Sequence, residues 1–86
     1  MKYTDNGLFF KVKISAREVE DFGYSWPCSG LMFHSITFEY DKRNGDLVDS
    51  DADRYHPGAD GSALLALSQD AQAFGLEQME ERQNVI

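Results

Sequence analysis

The side chains of this chain that could do chemistry by type and spacing are aspartates. Asp46, Asp49, Asp51, Asp53 and Asp60 fall in a stretch whose one Lys or Arg is Arg54. Asp49, Asp51 and Asp53 alternate with Ser50 and Ala52, so an extended backbone points all three the same way. Carboxylates gathered on one face repel one another and add nothing to a fold by themselves. Such a cluster has three uses: ligating a cation, attracting a basic partner, or keeping a loop solvated.

The cation reading rests on Asp49, Asp51, Asp53 and Asp60, which stand at positions one, three, five and twelve of a twelve-residue window. A calcium loop needs oxygens at those positions, but also glycine at the sixth and a bidentate glutamate at the twelfth. Here Arg54 holds the sixth position, Pro57 the ninth, and the short Asp60 the twelfth. A weak divalent-cation site is therefore the second reading, and no metal ligand set is assigned.

The first reading is recognition of a basic protein surface. Same-face carboxylates on a strand stand about 6.6 Å apart, two of the roughly 3.4 Å axial steps between phosphates of one DNA strand. A surface of this kind could occupy the basic channel of a nucleic-acid enzyme and exclude its substrate. In size and charge alone the chain is similar to the small acidic inhibitors made by phages and plasmids. Glu39, on a neighbouring strand, adds to the acidic face. Tyr24 and Trp26, in an irregular stretch, are of the types that anchor interfaces.

A thiol enzyme at Cys28 is the third reading, and it is weak. Cys28, His34 and His56 are the residues that could assemble nucleophilic catalysis. No basic cluster or helix start accompanies Cys28 to lower its pKa. One cysteine and two distant histidines do not close a zinc site. No glycine-rich loop with a lysine is present to cradle a phosphate. The chain is read as non-catalytic, with no cofactor.

Composition bounds these readings. The 86 residues suit one domain, and a hydrophobic share of 42% with 13% aromatics suits a packed core rather than a disordered chain. The net charge of −7 disfavours direct contact with nucleic acid or anionic lipid. Residues 1–17 carry a net +3, so the remainder carries −10. The lone cysteine allows no internal disulfide, and neither a signal peptide nor a membrane span is visible; a cytoplasmic home is the expectation.

The elements that would hold the aspartates follow from periodicity. Leu8 to Ile14 reads as a strand with Leu8, Phe10, Val12 and Ile14 on one face. Ser15 and Glu18 form a capping box, stapled by Ile14 and Val19, for a short helix from Ala16 to Phe22 that Gly23 ends. Leu31 to Tyr40 reads as a second strand, with Met32, His34, Ile36, Phe38 and Tyr40 sharing a face. Asn44-Gly45 turns the chain back. A three-residue loop, Arg43 to Gly45, sets Val48 beside Tyr40 and Ser50 beside Phe38, which keeps acids off the apolar face. The same register opposes Asp49 to Glu39, and a neighbouring strand bearing Lys11 and Lys13 would relieve that pair. A last helix starts at Asp60 or Ser62, shows Leu64, Leu67, Ala71 and Phe74 in one stripe, and stops at Gly75, where Leu76 folds back.

The expected fold is a small α+β domain over residues 1–76, in the order β-α-β-β-α, with a polar tail or frayed helix over 77–86. Its three-stranded, mainly antiparallel sheet has one face covered by the C-terminal helix. The expected core is Phe10, Val12, Ile14, Val19, Phe22, Ile36, Phe38, Tyr40, Val48, Leu64, Leu67 and Phe74.

Overall fold

A computed structural model describes residues 1–15, 17–18, 35–51 and 61–84. Within it, four strands form one antiparallel sheet in sequence order: β1 (Lys2–Asp5), β2 (Phe9–Ile14), β3 (Ile36–Asp41) and β4 (Leu47–Ser50). One long helix, α1 (Gly61–Asn84), crosses β2 and β3 on a single face. The α+β class and the covering helix agree with the sequence. The count of three strands does not. Lys2-Tyr3-Thr4-Asp5 is a strand in its own right, joined to β2 by a tight turn in which Gly7 takes a φ of 98°. Asn6 holds that turn with its backbone and its side chain, since Phe9 N–H donates to Asn6 Oδ1 at 3.0 Å.

Alternation decides which face is buried. Phe10, Val12 and Ile14 on β2 and Ile36, Phe38 and Tyr40 on β3 point under α1 and are buried. Tyr3 joins them from β1, and the rings of Tyr3, Phe10 and Tyr40 stack in sequence, with centroids 5.7 and 5.1 Å apart. Leu67 and Ala71 close the core from the helix, while Leu64, Phe74 and Met79 pack at its margin. Leu8 was expected on the inner face, yet it sits in the turn, exposed. The Ser15–Glu18 capping box is present in both directions, at 3.2 Å each way. Val19, Phe22, Gly23, Met32 and the remainder of that helix lie outside the described residues.

The β3–β4 hairpin differs from expectation near its turn and agrees further on. Its loop has four residues, Lys42 to Gly45, closed by Asp41 N–H to Asp46 O at 2.9 Å and Gly45 N–H to Asp41 O at 2.7 Å. Gly45 takes a φ of 77°, the left-handed conformation the return requires. This loop places Leu47, not Val48, opposite Tyr40. A bulge at Val48 then absorbs one residue, so that Asp49 faces Glu39 and Ser50 faces Phe38, as the pattern demanded. Val48 is consequently out of the core, 49% exposed.

The helix does not stop at Gly75. It continues to Asn84, and Gly75 is buried in its middle. A Cβ at Gly75 would lie 2.3 Å from Phe10 Cε2, so the glycine lets the helix approach the sheet. Met79 then packs on the core, and the Arg82 guanidinium lies 4.8 Å from the centre of the Tyr3 ring. Residues 77–84 continue the helix, with 77–82 mostly exposed and Met79 against the core. Among the described residues no helix is long and apolar enough to cross a membrane.

Candidate functional site

The sheet face opposite α1 carries the candidate site. Register lines up its side chains in two rows across the strands. One row runs Thr4, Lys11, Glu39, Asp49, and the other begins Lys2, Lys13, Thr37. Asp51 completes the second row, because its N–H donates to Thr37 O at 3.2 Å and Thr37 N–H donates to Asp51 Oδ1 at 2.8 Å. The face is therefore bipolar: lysines stand over β1 and β2, carboxylates over β3 and β4.

Each pole contains a like-charge pair held directly opposite by the sheet, Lys2 with Lys13 and Glu39 with Asp49. Such pairs destabilise a sheet by up to about 1 kcal/mol each. Lys11 stands between the poles and reaches Glu39 with Nζ 3.9 Å from Oε2. The relief expected from the neighbouring strand is thus real but long, and it reaches Glu39 rather than Asp49. Asp49 instead turns its carboxylate onto its own strand, accepting a hydrogen bond from Ser50 N–H at 2.8 Å. That contact occupies a backbone donor on the sheet's edge strand. Shortness, the bulge and the charge of β4 all discourage uncontrolled strand pairing there.

The aspartates therefore separate into different roles. Glu39, Asp49 and Asp51 share the outer face. Asp46 lies at the turn, exposed, its N–H held by Asn44 Oδ1 at 2.9 Å. Asp53 and Asp60 lie outside the described residues, as do Tyr24, Trp26, Cys28, His34 and His56. Among the described residues no three His, Cys, Asp or Glu side chains converge on a point where a metal ion could sit.

One acid that spacing did not single out is Asp41. It is buried at the end of β3, where its Oδ1 accepts Arg43 N–H at 2.8 Å and Arg43 Nε at 3.1 Å. Its Oδ2 accepts Arg43 Nη2 at 2.8 Å. The side-chain hydrogen bonds from Arg43, then the one from its backbone, hold the Asp41 carboxyl below its ordinary value. The signal was an aspartate at the first position of a turn with an arginine two residues on. Asp41 is thus a hinge pin for the hairpin and is withdrawn from any partner.

Beside the acidic pole lies an apolar groove between β4 and the start of α1. Phe38, Leu47, Leu64 and Leu65 line it, over a volume of about 270 Å³. Leu47 and Leu65 are 46% and 58% exposed. No family model, no curated protein and no solved structure matches this chain.

Proposed function

We propose that the chain is a non-catalytic protein-binding module whose β3–β4 hairpin docks on a basic protein surface. The observation that carries this reading is the Glu39–Asp49 pair. Two carboxylate residues stand opposite each other on the outer sheet face, Asp49 exposed and Glu39 partly buried, with Asp46 and Asp51 nearby. A cationic partner would relieve a repulsion that the long Lys11–Glu39 contact relieves only in part. Val48, about half exposed next to Asp49 in the chain, and Leu47, about half exposed on the helix side of the same short strand, add the apolar area that protein interfaces require.

A protein surface suits this arrangement better than a channel built for a continuous polyanion. Lys11 interrupts the acidic row, whereas a phosphate backbone presents no cation. A nucleic-acid-handling protein remains a fitting partner where its basic patch is local and bordered by apolar side chains. Asp53, Asp60, Tyr24 and Trp26 are proposed as further contacts on the grounds of their types and their sequence positions.

The test is capture from a lysate by the parent chain and by a Glu39→Gln, Asp46→Asn, Asp49→Asn variant, each with and without nuclease. A protein retained by the parent after nuclease and lost by the variant supports the reading. Equal retention by both removes the acidic hairpin as the docking surface.

A further inference from the structure

We propose that the lysine pole of the outer face binds a small polyphosphate anion. The basic residues of this acidic chain are concentrated around one strand. Lys2, Lys11 and Lys13 surround Thr4 on the outer side of β1 and β2, and Arg82 reaches β1 from the helix side. These are four of only eight Lys and Arg residues in a chain of net charge −7. The three lysines, with Thr4 and Thr37, line a shallow depression of about 290 Å³.

Lys2 and Lys13 are direct cross-strand partners, so the sheet sets two like charges side by side, an unfavourable pair. Among the described residues, no carboxylate forms an ion pair with either one. An anion seated between them converts that repulsion into two attractions, and the threonine hydroxyls add neutral donors. Lysine ammoniums act here as point charges with three donors each, which suits a compact multivalent anion rather than a planar carboxylate. The depression adjoins the acidic hairpin, since Thr37 belongs to β3 and Lys11 lies 3.9 Å from Glu39, but the Lys2–Lys13 pair that carries the inference stands on β1 and β2.

The experiment is a titration of the isotope-labelled chain with inorganic tripolyphosphate, followed by backbone amide NMR at low ionic strength. Sodium chloride at matched ionic strength serves as the control. Saturable shifts confined to Lys2, Thr4, Lys11, Lys13 and Thr37 are expected. Lys13→Gln should weaken binding by about two- to fivefold, the scale of one exposed ion pair. Lys2→Gln with Lys13→Gln should weaken it by about four- to twenty-fivefold while removing a destabilising pair. Shifts matched by sodium chloride, or spread over the whole surface, would overturn the site. So would a double variant that binds tripolyphosphate as tightly as the parent.

Discussion

Tyr40 buries its ring in the core and donates its hydroxyl to Ser68 O of the helix at 2.5 Å. Burial pushes its ionisation well above the ordinary value of 10.0. A raised value means that the fold favours the protonated phenol. Its stabilisation is complete below that ordinary value and is lost as the pH climbs through the folded one. Burial also raises Tyr3, with Asp5 adding to the shift, so both tyrosines contribute to alkaline unfolding. Tyr40→Phe should cost about 1 kcal/mol at neutral pH through the lost hydrogen bond. It should also make the melting temperature less sensitive above pH 10, Tyr3 supplying what remains; thermal melts at both pH values check this. Asp41 has the opposite sign. Its carboxyl is depressed, so its contribution is present above the ordinary value of 3.8 and lost as the pH falls through the folded one. Asp41→Asn should flatten the acid side of the melting profile and loosen the Lys42–Gly45 turn, read by amide exchange at Gly45. These residues were only partly legible in the chain. Tyr40 belonged to a clear alternating pattern, whereas the burial of Asp41 depends on a turn whose length the sequence leaves open.

At the scale of elements, Gly75 decides how the helix meets the sheet. A glycine after an apolar stripe reads as a stop, and helix propensity alone would favour that reading by about 1 kcal/mol over alanine. Here close approach outweighs propensity. The Phe10 ring lies where a Cβ would go and is locked between Tyr3 and Tyr40. Gly75→Ala should therefore destabilise by about 1–2 kcal/mol, overpacking outweighing the gain in helix propensity. Phe10→Leu in the same chain should recover part of that loss, a coupling that chemical denaturation of the single and double variants would measure. Strand β1 escaped periodicity because its four residues show one apolar inward side chain, Tyr3, with the polar Asp5 on the same face. Its announcement was Asn6-Gly7, the same pair that turns the chain at Asn44-Gly45. The latter hairpin keeps its register beyond Glu39 because the burial of Phe38 admits Ser50 and rejects an aspartate, and the Val48 bulge corrects for the longer loop.

Among the described residues, the outer face of the sheet is an electrical dipole. The chain's net charge of −7 conceals a lysine pole at β1 and β2 and a carboxylate pole at β3 and β4. The uneven charge along the chain was visible before any fold, since residues 1–17 are net basic. Lysines beside the acids were an expectation of the sequence, and the pairing of β2 with β3 places both poles on one face. The same pairing brings Lys11 to Glu39 and thereby limits how far the acidic surface extends. Once the partner is in hand, its association rate with the chain across a salt series tests the acidic-hairpin account most directly. The measurement compares the parent with the Glu39→Gln, Asp46→Asn, Asp49→Asn variant. Exposed charges act over about 8–10 Å before salt screens them, so steering by this pole should make the parent's rate fall steeply with added salt. The variant should start slower, show a flatter salt dependence, and melt no lower than the parent, because the Glu39–Asp49 repulsion is gone. Equal rates and equal salt dependence in the two proteins would contradict the account.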